Sequence, residues 1–195
     1  MKLSESAENL LLDVPKPSNW VPDEYDVGLR DIMVDWREAD QVDVGIVGVP
    51  FDTAVMGRRG CRFGPESVRS SLTFSNVYDP SVDVDLSTGL SLTDFGNIDV
   101  LQTDVLGTHD RIEQVMTSIY QLGATPVIIG GDHSISYPNI KSLINNTNGN
   151  VGVIMIDGHL DVRHSHHGEV SSGTPFRRIM EAVSYTHLRA HETNC

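Results

Sequence analysis

The segment "VDVGIVGVPF" (Val42–Phe51) decides the fold class. It is short, almost continuously apolar and rich in valine, as expected of a strand that is covered on both faces within a parallel sheet. Two later segments repeat this pattern, "TPVIIGG" (Thr125–Gly131) and "VGVIMID" (Val151–Asp157). We therefore predict three buried strands of a mainly parallel sheet.

Helical patterns alternate with these strands. Apolar residues recur at helical spacing before Thr125, and Gly123 follows them as a stop signal; they are Ile112, Val115, Met116, Ile119 and Tyr120. The segments "GPESVRSSL" and "YPNIKSLI" each carry a proline near a helix start, and the first places Val68 and Leu72 on one face. This alternation predicts an α/β domain whose ligands gather at the carboxyl ends of its strands.

Composition narrows the class of partner and the compartment. The 195 residues are 39% hydrophobic and 21% charged, which suits a single soluble domain. A formal net charge of -13 disfavours nucleic acids and anionic membranes and favours small substrates or protein partners. The chain has two cysteines, no apolar run that could span a bilayer and no signal-peptide pattern, so a cytoplasmic location is expected. Residues 1–40 are polar and acidic with several prolines, which predicts a loosely structured lead-in.

Metal-ligand residues follow the third predicted strand. Asp157, His159 and Asp161 occupy every second position, so an extended backbone would point all three to one side. Two carboxylates and one imidazole suit Mn²⁺ or a similar divalent ion. Each residue alone would be interpreted as a turn former or cap. The alternation favours a metal site, because three converged groups would repel one another without a cation.

A second contribution to the predicted metal site comes from "IIGGDHSIS", where Asp132 and His133 follow the second predicted strand across a glycine pair. The glycines allow a tight turn, so His133 could reach the same site from the neighbouring strand. A loop histidine bonded to the backbone is the alternative, and proximity to the trio favours ligation. Asp132 is expected as an outer partner or a turn residue.

These motifs carry a family resemblance. "GGDHS" (Gly130–Ser134), "DGHLD" (Asp157–Asp161) and "VGVPFDTAVMGRRGCRFGPESVR" (Val47–Arg69) resemble the ureohydrolases, the family of arginase, agmatinase, guanidinobutyrase and formimidoylglutamase. The resemblance implies a three-layer αβα fold, mainly parallel in its sheet, with two Mn²⁺ ions and an activated water as the nucleophile. It further implies that the metal ligands are His133, Asp157, His159 and Asp161. His133 and Asp161 would bind one ion, His159 the other, and Asp157 would bridge both; the two carboxylates are the expected catalytic residues.

The segment after the trio favours one subgroup. Formimidoylglutamases resemble this chain in a DVR segment (Asp161–Arg163) and in the S-G-T-P-F-R segment that begins at Ser172. At the position of Ser172, agmatinase-like members usually have a histidine. The implied reaction is hydrolysis of N-formimidoyl-L-glutamate to L-glutamate and formamide, a step of histidine degradation. Arg163 and Ser172 are the expected substrate-binding residues, with Arg177 as a second arginine candidate; a guanidinium suits the two carboxylates of this substrate. A structural salt bridge is an equal alternative for Arg163.

Other interpretations stay open alongside this one. An agmatinase or guanidinobutyrase that releases urea is the enzymatic alternative, and a non-catalytic α/β binding protein is the other. The three histidines of the following loop, His164, His166 and His167, are expected to be bystanders, and Cys61 lacks the partner spacing of a zinc or nucleophile site.

The resemblance also predicts an incomplete site. Family members take two further aspartates from a DxD-type motif near the end of a longer chain, and no such motif follows Asp161 here. The domain is therefore expected to span residues 41–183, to be truncated and inactive by itself, and to be followed by a non-native tail at 184–195, "SYTHLRAHETNC". The whole parent protein is expected to form a homo-oligomer.

Overall fold

The computed structural model describes residues 2–14, 27–148, 151–165 and 168–182. The helices of these parts are α1 (Glu5–Glu8), α2 (Gly64–Leu72), α3 (Val105–Gln121), α4 (Ser136–Asn145) and α5 (Pro175–Ala182). The strands are β1 (Leu11–Leu12), β2 (Val34–Asp35), β3 (Val44–Val49), β4 (Tyr78–Asp79), β5 (Val84–Asp85), β6 (Leu92–Ile98) and β7 (Thr125–Gly130). Turns of 3-10 helix at Cys61–Phe63 and His133–Ile135 lead into α2 and α4.

The main sheet runs in the order β1-β6-β3-β7, and β2 also pairs with β6. Strand β3 is parallel to both β6 and β7, while β1 joins the edge antiparallel. The short β4–β5 hairpin lies apart from this sheet. The predicted α/β class is confirmed, and the predicted strands at 42–51 and 125–131 are present as β3 and β7.

Helix α3 confirms the predicted periodicity. The apolar residues Ile112, Val115, Met116 and Ile119 are fully buried, and the helix ends before Gly123, whose φ of +78° suits glycine. At the other end, Asp104 caps the helix by accepting a hydrogen bond from the Gly107 N–H at 2.9 Å. The core lies between this helix and the sheet, where β3 and β6 contribute further buried side chains, namely Val47, Val49, Phe95 and Ile98.

The third predicted strand is not formed. Residues 151–157 adopt no regular secondary structure, and Ile154 and Ile156 are 92% and 98% exposed. The sheet order explains this outcome. Strand β7 is hydrogen-bonded to β3 on one edge, and among the described residues no strand lies beyond its other edge. An apolar segment needs a neighbouring strand to complete its backbone hydrogen bonds. The apolar pattern of residues 151–157 is therefore not enough by itself to form a strand.

Helix α2 is present as predicted, but its buried face differs from the prediction. Val68 is exposed, and the buried side chains are Pro65 and Arg69. The Arg69 guanidinium makes two hydrogen bonds to the Asp94 carboxylate, at 2.9 and 2.8 Å. It also donates to Asn97 Oδ1 and to the Gly96 carbonyl, both at 2.7 Å. A buried ion pair therefore joins α2 to β6.

The described part of the lead-in is packed rather than loose. Leu3, Ala7 and Leu11 belong to the hydrophobic core, and Ser4 caps α1 by accepting from the Ala7 N–H. Residues 15–26, which contain the prolines on which that expectation rested, lie outside the described parts. Within the parts that are described, no helix is both long enough and apolar enough to cross a bilayer.

Candidate metal site and substrate cleft

The turn that carries His133 is held firmly at the carboxyl end of β7. At Gly131 φ is +84°, and a Cβ there would lie 2.5 Å from two backbone carbonyl oxygens, so only glycine fits. The buried Asp132 carboxylate accepts hydrogen bonds from the Ser134 and Ala54 N–H groups, each at 2.9 Å. Burial raises the pKa of this carboxyl, opposed by those hydrogen bonds. Asp132 thus stabilises the turn, as predicted, and His133 projects from it.

Three of the four predicted ligands converge. His133 Nδ1 lies 2.5 Å from Asp161 Oδ2 and 3.3 Å from Asp157 Oδ2. One ligand atom from each of the three residues lies within 4.8 Å of the others. Two carboxylates facing one imidazole form an oxygen-rich donor set of the kind that suits Mn²⁺. The residues present therefore fit a divalent cation.

His159 lies outside this group. Its side chain is 86% exposed, and its Nδ1 is 3.8 Å from Asp157 Oδ1. The predicted alternation is not realised because the chain bends after Asp157, whose Oδ1 accepts a hydrogen bond from the His159 N–H at 3.0 Å. The backbone then passes through a positive φ of +45° at Asp161. Asp157 and Asp161 converge through this bend rather than through an extended strand.

Arg163 and Ser172 line the same cleft as the metal group. This cleft has a volume of about 740 Å³ and is also bordered by Met56 and Cys61. The Arg163 stem lies against Gly173, where a Cβ would be 3.0 Å from Arg163 Cδ. In the described residues the Arg163 guanidinium has no acidic partner within salt-bridge distance. The salt bridge that was the alternative for Arg163 is therefore not found there.

Ser172 has a bracing role in this structure. Its Oγ accepts a hydrogen bond from the Met56 N–H at 3.1 Å, and its own N–H donates to the Ala54 carbonyl at 2.8 Å. The hydroxyl proton remains available to a bound molecule. These contacts tie the segment 171–174 to the loop that follows β3.

Asp52, near the start of that loop, binds the residues at its far end. The buried Asp52 carboxylate accepts from the Gly60 N–H and from Arg62 Nε, both at 2.7 Å, and hydrogen bonding from Arg62 is the main influence that lowers its pKa. Burial raises the pKa of the Cys61 thiol, with the negative charges of Asp132 and Asp52 adding to the effect, so this thiol is protonated at neutral pH.

Arg177 and His164, the remaining candidates within the described residues, do not belong to the metal group. Arg177 pairs with Glu181 one turn along α5, at 2.7 Å. His164 is exposed and lines a neighbouring cleft of about 780 Å³ that also contacts Arg163. His166, His167 and the 184–195 segment lie outside the described residues.

One known protein family matches most of this chain. The model of the Arginase family matches residues 42–191. The chain belongs to the arginase family. Within this family it is 34% identical over 171 residues to a formimidoylglutamase of Halobacterium salinarum, a match that covers 85% of this chain and 55% of the relative.

Solved structures of the arginase family agree with the fold. The crystal structure of formimidoylglutamase from Bacillus subtilis matches with a TM-score of 0.78 and 30% identity, over 87% of this chain and 53% of that protein. A Trypanosoma cruzi formiminoglutamase solved with Mn²⁺ matches with a TM-score of 0.72 and 33% identity, over 82% of this chain and 54% of that one. The chain thus spans about half the length of these relatives. An agmatinase of Gallus gallus and a guanidinobutyrase of Pseudomonas aeruginosa are each 33% identical to this chain, so identity alone does not select the substrate.

Phe176 is a further residue of the site in this arginase-family chain, and the motifs do not predict it. Its ring meets the His133 ring edge-on, with centroids 5.6 Å apart, and its N–H donates to the Asp161 carbonyl at 3.1 Å. Phe176 therefore touches two of the three converged ligand residues. The sequence signal for Phe176 is its place in the S-G-T-P-F-R segment, the segment that supplies Ser172 and Arg177 as substrate-binding candidates.

Proposed function

We propose that this chain contributes the metal-binding and substrate-recognition residues of a manganese-dependent formimidoylglutamase. The reaction is the addition of water to the formimidoyl carbon of N-formimidoyl-L-glutamate, followed by cleavage of the C–N bond to release L-glutamate and formamide. The observation that carries the proposal is the convergence of His133, Asp157 and Asp161 on one point of the cleft. The formimidoylglutamases among its relatives support the choice of substrate.

The metal is proposed to be manganese, with two ions in the whole protein. When bound, manganese supplies Lewis acidity that lowers the pKa of water and polarises the amidine group. His133, Asp157 and Asp161 would hold it, and His159, adjacent to Asp157, would contribute to the second ion. Asp157 and Asp161 are the proposed catalytic carboxylates.

Arg163 is the proposed recognition residue for the substrate carboxylates. Its guanidinium borders the cleft and has no acidic partner among the described residues, so it is available to a ligand. A guanidinium can bind a carboxylate with two parallel hydrogen bonds, whereas the same charge would repel the cationic tail of agmatine. In a protein of net charge -13, such a local cation is also needed to attract a dianionic substrate. Ser172 Oγ offers a further hydrogen-bond donor.

The test uses the whole protein in which this chain occurs, loaded with manganese and supplied with N-formimidoyl-L-glutamate. Formamide and glutamate should form in equal amounts. Asp157→Ala should abolish turnover, because it removes a ligand carboxylate. Arg163→Gln should raise KM by roughly tenfold or more, as expected for loss of a charge-assisted hydrogen bond. The matched control is Arg37→Gln, an exposed arginine paired with Asp13 and Asp35, which should behave like the unaltered protein.

Two results would contradict the proposal. Release of urea from agmatine or 4-guanidinobutyrate, with no formamide from formimidoylglutamate, would assign the protein to another branch of the family. Absence of turnover with all of these substrates, despite bound manganese, would favour a non-catalytic binding protein.

A further inference from the structure

Arg178 joins three helices behind the metal group. It lies on α5, and its guanidinium stacks on the ring of Tyr137 in α4, with 3.7 Å between Arg178 Cζ and the ring centroid. Its NH1 also donates to Nδ1 of the buried His109 in α3, at 3.1 Å. Stacking of this kind uses the planar face of arginine, which lysine lacks.

The contact with His109 continues to the turn that carries His133. Because an arginine can only donate, His109 Nδ1 must be the acceptor, and the ring proton must then lie on Nε2. Nε2 is 3.3 Å from Ser134 Oγ, so the imidazole donates to this hydroxyl. Ser134 is the residue after His133, and its N–H is bound to Asp132. The backbone of the turn is therefore fixed from the side of α3.

Helix α5 holds the His133 ring from the other side. Phe176 lies two residues before Arg178 on α5, packs edge-on against the His133 ring and donates its N–H to the Asp161 carbonyl. Displacement of α5 would therefore loosen both the His133 ring and the backbone of Asp161. Arg178 holds the part of α5 that makes these contacts.

We propose that Arg178 is a positioning residue for the metal site, acting through His109 on the His133 turn and through Phe176 on the His133 ring. The inference rests on the metal site of the proposed function. Outer residues that orient metal ligands commonly change metal affinity by about 10–100-fold when they are removed. Arg178 touches none of the three converged ligands in this structure, so its effect is expected in affinity rather than in the identity of the metal.

The experiment is a titration of the whole protein in which this chain occurs with Mn²⁺, followed by electron paramagnetic resonance of the free ion. Arg178→Ala should raise the dissociation constant by roughly tenfold. Arg178→Lys keeps a donor for His109 but loses the stacking surface, and should give an intermediate value. The matched control is Arg177→Ala, which removes the neighbouring arginine that pairs only with Glu181 among the described residues and should leave the affinity unchanged.

A double-mutant cycle separates positioning from a general loss of packing. If Arg178 acts through Phe176, the double variant Arg178→Ala/Phe176→Leu should bind Mn²⁺ about as weakly as the more affected single variant, because coupled contacts are not additive. Fully additive losses, or unchanged affinity in Arg178→Ala, would overturn the inference. Should Arg178→Ala fail to fold, the cycle is run with Arg178→Lys, which is subject to the same criteria.

A metal-free measurement distinguishes failure of this inference from failure of the proposed function. Amide hydrogen exchange at Phe176, whose N–H is bound to Asp161, should be faster in Arg178→Ala and unchanged in Arg177→Ala. If the unaltered whole protein binds no Mn²⁺, both the metal site and this inference are refuted. If it binds Mn²⁺ and Arg178→Ala binds it equally well, only the inference is refuted.

Discussion

At the residue scale, burial sets the charge of His109. Removal of the ring from water disfavours the imidazolium, and the nearby Arg178 guanidinium repels it further, so that the pKa falls from 6.5 to about 4. The ring is neutral at physiological pH, which is the state required to accept from Arg178.

This shift predicts a loss of stability in mild acid. When the pH falls from about 7.5 to about 5, His109 takes up a proton in the unfolded chain but not in the folded one, so folding is weakened by about 2 kcal/mol. The contribution is complete above the unfolded pKa and declines as the pH falls towards about 4. Urea unfolding at the two pH values measures the change. His109→Gln is the control, because other titrating groups are common to both proteins; an equal pH dependence in the two would show the assignment to His109 wrong.

At the element scale, α2 and β6 are joined by charge rather than by an apolar face. Arg69 is buried, whereas the Asp94 side chain is 26% exposed and its carboxylate accepts two of the arginine's hydrogen bonds. The Gly96 carbonyl and Asn97 satisfy most of the remaining guanidinium donors. Such an ion pair need not stabilise the fold more than an apolar contact would. Removal of one partner, however, leaves the charge of the other without a counter-charge.

Arg69→Met should therefore lower the free energy of unfolding by about 3–5 kcal/mol, as expected when one partner of a buried ion pair is removed. Arg37→Met is the comparison, since its ion pairs with Asp13 and Asp35 are exposed and should be worth less than about 1 kcal/mol. Both values come from urea unfolding at neutral pH. Equal losses in the two variants would contradict the structural role assigned to Arg69.

At the scale of the whole molecule, the β7 edge of the sheet and one apolar segment are uncovered within the described residues. Strand β7 is unpaired along one side among the described residues, and the 151–157 segment exposes Ile154 and Ile156. Unpaired strand edges and contiguous exposed apolar side chains favour association with another chain. The same nearly continuous apolar pattern that predicts a strand here makes the segment suitable for pairing.

We expect the 195-residue chain to self-associate as its concentration rises. Sedimentation velocity should show species larger than the monomer, and Ile154→Lys/Ile156→Lys should shift the distribution towards the monomer because the charges repel and cannot be buried. Leu106→Lys, at an exposed apolar residue of α3, is the matched control and should have little effect. A chain that stays monomeric at all concentrations would refute this expectation.

The predictable part of the fold is the part that depends on local pattern. Strand β3 and helix α3 follow from apolar periodicity, because each is covered by neighbours within the described chain. Strand β7 also forms, through pairing with β3, but it is not buried as predicted, and Val127 is exposed. Strand β6 was missed, since Asp94 and Asn97 interrupt its apolar pattern, and only the folded chain places Arg69 against them. Residues 151–157 carry the pattern of a strand without a described neighbour to pair with.

The motifs in the sequence predict that His133, Asp157 and Asp161 meet. The strand-end geometry behind this prediction holds for His133, which follows β7, whereas a bend brings Asp157 and Asp161 together. The resemblance of those motifs also indicated the arginase family, which the match of the family model shows. Only the tertiary structure decided that His159 turns away, that Ser172 braces a loop, and that Phe176 and Arg178 support the site. These outcomes depend on contacts between residues distant in the chain and on a single bend after Asp157, and neither is encoded in local periodicity.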